Sequence, residues 1–174
     1  ALAMIVKERG ELTANNVSSV RVETYSLAAQ LSDRSPKNTL AGKFSVPFAV
    51  ASTLINNSSG VESFTWDKIR DPDIQAFADK VEVIEDPEFT AKMPDYRPSR
   101  VTIELVDGTQ LSAETMTNRG DTEDPYDDDE LDQKYVELTR RVWSNSVSTA
   151  VYDDCFRVEQ LKDMNELTRH FEAN

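Results

Sequence analysis

The amino-acid sequence predicts an α+β fold, a two-layer sandwich in which a mainly antiparallel sheet has helices packed on one face. Three observations predict it. Several segments alternate apolar and polar residues, as strands buried on one side do. Two of these segments are joined by a hairpin signal, and helical periodicity occupies the stretches around them. We expect the 174 residues to form a single domain, since a chain of this length can bury one sizeable core.

The chain begins with a predicted helix followed by a predicted strand. Leu2, Ile5 and Val6 have helical spacing, and Gly10 is the expected C-cap. VSSVRVETY, residues 17–25, then alternates as a half-buried strand does. The sequence opens without an initiator methionine or a capping residue. We therefore expect a fragment of a longer chain, with a trimmed N-terminus as the alternative.

The apolar stretch GKFSVPFAVASTLI, residues 42–55, predicts a helix. Ser45 is the expected N-cap. Pro47 is tolerated in the first turn, where its missing N–H would have no helical partner. Phe44 and Phe48 are expected on one face, and NNSSG, ending at Gly60, is expected to terminate the helix.

The second half of the sequence predicts the rest of the sheet and its helices. DPDIQAFADKVEV indicates a helix capped by Asp71, then a strand. RVTIELVDGTQLSAETMT indicates two strands joined by a type I′ turn at Asp107-Gly108. A helix from Asp127 to about Trp143 has acidic residues in its first turn and arginines in its last, matching the helix dipole. VEQLKDMNELTRHF predicts a final amphipathic helix.

Composition excludes several classes of protein. The formal net charge of −13 argues against nucleic-acid binding, which needs clustered lysine and arginine. No apolar run reaches transmembrane length, so no membrane partner is expected. A single cysteine, Cys155, excludes an internal disulfide framework and fits a reducing compartment. We therefore expect a cytoplasmic protein.

Few residues indicate a reactive or metal site. His170 is the only histidine, and we expect it to be a solvated surface residue, so zinc is unsupported. The acidic run GDTEDPYDDDELDQ lacks the glycine and ligand spacing of a calcium loop, so a solvated loop leading into a helix is favoured. Lys43 and Ser45 leave two alternatives open. They indicate either an anion site at a helix N-terminus or an ordinary N-cap beside a surface lysine.

Four blocks in order resemble the C-terminal half of MmgE/PrpD proteins, over roughly residues 1–143. They are GKFSVPFAVASTLI, DPDIQAFADKVEV, YRPSRVTIELVDGTQL and NRGDTEDPYDDDELDQKY. The family includes 2-methylcitrate dehydratase, cis-aconitate decarboxylase and iminodisuccinate epimerase. The resemblance implies a cofactor-independent enzyme of di- or tricarboxylates, usually a homodimer. In that architecture this chain is the smaller α+β lid domain beside a large helical domain, which carries most of the acid/base residues. We therefore expect no catalytic residue, no metal and no turnover from this chain alone.

The resemblance implies four substrate-binding residues. Lys43 and Ser45 match the family's basic-aromatic-serine motif at the cleft, and Arg119 matches its Arg-Gly-Asp turn. Phe48 stands at a position that is commonly tyrosine in the family. Phenylalanine lacks the tyrosine hydroxyl group, so no role of that group is expected here. The implied activity is dehydration of 2-methylcitrate or a related hydroxy-tricarboxylate. The alternatives are a domain of an epimerase or decarboxylase, or a non-catalytic module for dimerisation or partner binding.

Overall fold

The computed structural model describes residues 1–9 and 12–171, and in them four strands and ten α-helices. The strands are β1 Val17–Thr24, β2 Val81–Glu85, β3 Ser99–Leu105 and β4 Gln110–Thr115. The α-helices are α1 Leu2–Arg9, α2 Ser26–Ala29, α3 Thr39–Lys43, α4 Val46–Asn56, α5 Trp66–Ile69, α6 Pro72–Ala78, α7 Pro87–Thr90, α8 Asp128–Thr139, α9 Asn145–Phe156 and α10 Asn165–Thr168. Short 3-10 helices occur at Val61–Phe64, Val158–Gln160 and Arg169–Phe171. The chain divides into two compact units, residues 1–125 and 126–174, and the predicted C-cap Gly10 lies outside the described residues.

The four strands form one mixed sheet in the order β2-β1-β3-β4. β1 pairs with β2 in parallel, whereas the β1–β3 and β3–β4 pairs are antiparallel. Val20 lies opposite Val81 on one side and Ile103 on the other. This register puts the apolar residues of neighbouring strands on the same face. The prediction of an α+β fold with a mainly antiparallel sheet is confirmed.

One face of the sheet is buried and the other is polar. Helices α1, α4, α5 and α6 contribute side chains to the same core as the apolar face of the sheet. The core residues of the strands are Val17, Val20, Val22, Val81, Val101, Ile103 and Leu105. On the opposite face, Arg21 and Glu82 form an exposed ion pair. The strand sequences alternate between apolar and polar residues because one face of the sheet packs against the core helices and the other carries charged side chains.

The stretch from Gly42 to Ile55 is not one helix. Its main part is α4, which Ser45 caps and in which Pro47 lies in the first turn, as predicted. Asn57, with φ of 55°, ends α4 in the left-handed conformation. Gly42 and Lys43, however, belong to α3, so the prediction that Phe44 lies on a face of α4 is wrong. Phe44 is the C-cap of α3 and is 59% exposed.

The β3–β4 hairpin is present, but its turn is not the predicted type I′. That turn requires positive φ at both central residues, whereas in this hairpin only Gly108 has one, at 84°. The Gly108 N–H donates to the Leu105 carbonyl at 3.0 Å, and Leu105 N–H donates to Thr109 at 2.9 Å. The loop is the three-residue form, a turn followed by a left-handed glycine.

The C-terminal unit departs most from the sequence-based expectation. α8 begins at Asp128, with the predicted first residue Asp127 as its N-cap, and it ends at Thr139, before Trp143. Sequence reasoning missed α9 entirely. The predicted final helix over residues 158–171 is wrong, since that segment is two 3-10 turns and the four-residue α10. α9 is rich in serine, threonine, valine and aspartate, whose helix propensity is low, so its sequence carried a weak helical signal.

Candidate functional site

The four predicted site residues lie in two places. The corner between α3 and α4 contains Lys43, Ser45 and Phe48, and Arg119 lies in a different loop. Asn38 caps α3 by accepting from the Ala41 N–H at 2.8 Å. Gly42 is buried there, because a Cβ at that position would lie 2.5 Å from Ile69 Cδ1 and 3.4 Å from Phe48. A side chain at this position would have to displace the end of the Ile69 side chain, so the close approach of α3 to α5 favours glycine.

Ser45 is a buried residue that joins two segments. Its Oγ accepts from the Phe48 N–H at 3.0 Å and donates to the carbonyl of Asp33. The next amide, Val46 N–H, donates to Leu31 at 2.8 Å, and Pro47 has no N–H. The first-turn donors of α4, which an anion would need, are thus already satisfied within the chain. The geometry favours Ser45 as an N-cap, and its role as a direct ligand contact stays a prediction.

Phe48 is a core residue in this chain. Its side chain has 0% exposure, and its ring centroid lies 6.0 Å from that of Phe64 at an interplanar angle of 54°. The ring also closes over Gly42. A direct contact with a ligand would require the ring to leave this packing, so a ligand contact at Phe48 also stays a prediction.

Lys43 is the exposed member of the corner. It ends α3, and within the described residues its ammonium group has no hydrogen bond or ion pair. The nearest cations in sequence are engaged, since Arg34 Nε donates to Val81 at 3.1 Å and Lys37 Nζ donates to Ser35 at 2.8 Å. No acidic residue occurs from Arg34 to Val61, although the chain carries a net charge of −13. Lys43 therefore presents a positive charge that no acidic residue nearby in the sequence offsets.

Arg119 lies elsewhere, in the loop that follows β4. Its guanidinium group forms an ion pair with Asp124, whose carbonyl accepts from the Gly120 N–H at 2.6 Å. Gly120 has φ of 98°, which requires glycine, and Asn118 Nδ2 donates to Asp121 at 3.0 Å. Arg119 thus belongs to a tight turn. In the part of the chain that the structure describes, no contact joins it to Lys43, Ser45 or Phe48.

The acidic run starts a helix, as expected. Asp127 Oδ1 accepts from Glu130 N–H at 2.8 Å, and Glu130 Oε2 accepts from Asp127 N–H at 3.0 Å. This reciprocal pair is a capping box, and the carboxylates stand at the positive end of the dipole of α8. Across residues 1–9 and 12–171, no three histidine, cysteine or acidic side chains are placed to hold a metal ion.

Two features were not identified from the sequence. A half-open cavity of about 500 Å³ lies at the other end of α4, where Leu12, Leu54, Phe77 and Lys80 contribute to its wall, and none of the four predicted site residues lines it. His170, expected to be solvated, is instead 19% exposed and lies 2.9 Å from Asp154. No local motif indicated either feature, because both depend on segments distant in sequence.

None of the helices in the described residues has the length and apolar character needed to cross a bilayer. No curated protein matches the chain at a significant level. A family model, described as the MmgE/PrpD C-terminal domain, matches residues 1–157. The match includes the α3–α4 corner, the mixed sheet, the Arg119 turn and all of α8 and α9. The chain belongs to the MmgE/PrpD family and carries its C-terminal domain.

Proposed function

We propose that this chain is the lid of an MmgE/PrpD lyase that dehydrates 2-methylcitrate or a related hydroxy-tricarboxylate. The lid binds a carboxylate group of the substrate and closes over the cleft. A base in a separate helical domain removes a proton from the carbon beside a carboxylate, and the hydroxyl group leaves as water. The resemblance also supports a cytoplasmic homodimer that needs no cofactor.

The observation that carries this proposal is the unpaired ammonium group of Lys43. It stands at the end of α3, whose last turn packs through Gly42 against Ile69. A strongly acidic protein repels a tricarboxylate at long range, so the substrate needs a local positive charge. The acid-free stretch around Lys43 supplies one.

The other three predicted residues have different roles in this proposal. Ser45 and Phe48 are positioning residues, because their contacts with Asp33 and Gly42 hold the corner that presents Lys43. Arg119 is a second candidate anion contact. To bind a substrate carboxylate, Arg119 must first break its ion pair with Asp124. Its contribution to substrate binding is therefore expected to be smaller than that of Lys43.

The test uses the enzyme that contains both domains, with dehydration followed by the absorbance of the unsaturated acid. Lys43→Met is expected to raise KM by about tenfold to a hundredfold, since a lost charge-assisted hydrogen bond costs about 1.5–3 kcal/mol. Lys43→Arg should recover part of the loss. Lys37→Met, an exposed lysine in the same acid-free stretch, is the matched control and should change KM by less than about twofold.

The proposal has two separate points of failure. A wild-type enzyme that does not dehydrate 2-methylcitrate or its close analogues would overturn the activity. A wild-type enzyme that does, with equal KM for Lys43→Met and Lys37→Met, would overturn the role of Lys43. The 174-residue chain alone is expected to show no turnover.

A partner-binding module is the second candidate, because apolar side chains surround the same corner. Leu40 and Phe44 are 64% and 59% exposed, and Trp66 is 50% exposed. Exposed apolar residues that are close together are typical of an interaction surface. Catalytic turnover by the two-domain enzyme, with the Lys43 dependence stated above, would decide against this candidate.

A further inference from the structure

β4 forms one edge of the sheet, and half of its backbone groups face away from β3. The β3–β4 hairpin closes with Leu105 N–H donating to Thr109 at 2.9 Å. Hydrogen-bonded pairs recur at every second residue of an antiparallel pair, so the backbone groups of Leu111, Ala113 and Thr115 face β3. The outward N–H and carbonyl groups are those of Gln110, Ser112 and Glu114. Across residues 1–9 and 12–171, no hydrogen bond engages these outward groups.

The opposite edge of the sheet, β2, is partly covered. Val20 N–H donates to the Lys80 carbonyl at 3.0 Å, so the backbone groups of Val81, the residue opposite Val20, face away from β1. Arg34 Nε donates to the Val81 carbonyl at 3.1 Å, and α2 also packs against β2. β4 contains no proline or lysine, and its pairing with β3 has no bulge, so it lacks the features that commonly protect an edge strand.

The apolar face of β4 is only partly buried. Leu111 and Ala113 pack against the core and are half-buried. Their partners on β3, Ile103 and Val101, have β1 on their other side and are 0% and 5% exposed. A further strand beside β4 would remove the remaining apolar surface of Leu111 and Ala113 from water.

We propose that β4 of a second copy of this chain occupies this edge, paired antiparallel about a two-fold axis at Ser112. Ser112 then lies opposite Ser112 of the second copy, and Gln110 lies opposite Glu114, so a side-chain amide donor faces each carboxylate. Leu111 lies opposite Ala113 on the apolar face. The contact is isologous, and it joins two four-stranded sheets into one sheet of eight strands.

The ends of β4 select this register. A shift of two residues in one direction would put Glu114 opposite Gly108, in the hairpin turn, and a shift in the other would put Gln110 opposite Met116, beyond β4. In the proposed register, the outward backbone groups of all three edge residues find partners within the strand.

The charge at the edge is locally balanced. The Glu114 carboxylate accepts from Arg100 Nε at 2.9 Å, so it already has a cationic partner. The net charge of −13 on each copy nevertheless opposes association at long range. The interaction is therefore to be measured at an ionic strength of about 0.15 M, where charges more than about 8 Å apart are largely screened.

Sedimentation of the 174-residue chain measures the dimer. We expect a Kd on the order of 0.1 mM, because an edge contact buries less surface than a standard interface. Ser112→Lys puts two ammonium groups opposite each other and should raise the Kd by at least about tenfold. Val106→Lys adds the same charge in the hairpin turn, at a residue that is 67% exposed, and should change the Kd by less than about twofold. A wild-type chain that is monomeric up to about 1 mM, or equal Kd values for the two variants, would overturn the proposal.

A disulfide cross-link tests the register without added charge. In a Cys155→Ser background, Ser112→Cys places two thiols on opposite residues with Cα atoms about 5.5 Å apart, so mild oxidation should give a covalent dimer. Gln110→Cys is the control, because its two copies lie four residues apart along the paired strands, about 13 Å, and should not cross-link. Equal cross-linking of the two variants, or none in Ser112→Cys, would overturn the proposal. These tests involve neither Lys43 nor dehydration, so this proposal and the proposed function fail separately.

Discussion

The two units of this chain are stabilised by different interactions. In residues 1–125, buried apolar side chains from the sheet and from α1, α4, α5 and α6 form one continuous core. In residues 126–174, Val151 is the only buried hydrophobic residue that the structure describes, and α8 has no buried residue. Tyr135 Oη instead donates to Ser148 at 2.7 Å, and Asp154 binds Arg157 and His170. Stability in the first unit comes mainly from burial, and in the second from polar and aromatic contacts.

This difference predicts the largest effect for truncation of the first core. Phe48→Ala should lower the free energy of unfolding by about 3–5 kcal/mol, because it removes a fully buried aromatic ring and leaves a cavity. Leu138→Ala, on α8 and 44% exposed, is the control and should change it by less than about 0.5 kcal/mol. Urea denaturation measures both, and equal losses would show that burial does not distinguish the two units.

The α3–α4 corner offers a sharper test of packing within the first unit. Gly42→Ala should lower the free energy of unfolding by about 0.5–1.5 kcal/mol, because the added Cβ lies 2.5 Å from Ile69 Cδ1 and the end of that side chain must leave its preferred rotamer. Ile69→Val removes that methyl group, so the double variant should lose less stability than the two single variants together. If the losses of the two single variants, measured by urea denaturation, add up to the loss of the double variant, the Cβ at position 42 does not clash with Ile69.

In the second unit, the smallest predicted effect is a change in a titration. Tyr152 Oη donates to Asp132 Oδ1 at 2.5 Å, and this hydrogen bond, helped by the nearby charge, raises the pKa of Tyr152 to about 12. The folded pKa exceeds the ordinary value near 10, so the contribution of this pair is present below pH 10 and lost as the pH rises through 12. Asp132→Asn should lower the pKa of Tyr152 toward its ordinary value near 10.

Alkaline absorbance titration of the phenols measures this change, with Tyr152→Phe assigning the signal among the five tyrosines. Glu137→Gln, which alters another acidic residue of α8, is the control and should leave the pKa of Tyr152 unchanged. An identical pKa of Tyr152 in Asp132→Asn and in the wild-type chain would show that the hydrogen bond to Asp132 does not raise that pKa.

The sequence-based predictions were more accurate for residues 1–125 than for residues 126–174. Val20, Val22 and Thr24 alternate with polar residues, so β1 and its buried face were predictable. Ser45 and Asp71 each precede a proline in the first turn of a helix, and both caps are confirmed. In the second unit, α9 was missed and the helix over residues 158–171 was wrongly predicted. Residues of low helix propensity and few buried apolar side chains leave no clear helical period in these segments.

The sequence indicated where the candidate site lies, but it could not show which groups of that site are free to bind a ligand. Lys43 and Ser45 indicated either an anion site or an ordinary N-cap. The alternatives depend on whether carbonyl groups from residues distant in sequence satisfy the donors of α4, as those of Leu31 and Asp33 do. The sequence also could not show that Gly42 packs against Ile69, which brings α3 close to α5.

The sequence by itself determined the class of fold, the order of the strands along the chain, the main helix caps and the family. These properties follow from local periodicity, capping chemistry and the order of recognisable blocks. Tertiary structure alone decided that Lys43 is exposed and unpaired in the described chain, that the amides beside Ser45 are occupied, and that His170 lies against Asp154. Contacts of this kind join residues far apart in sequence, and their energies depend on burial and distance, which no local pattern records.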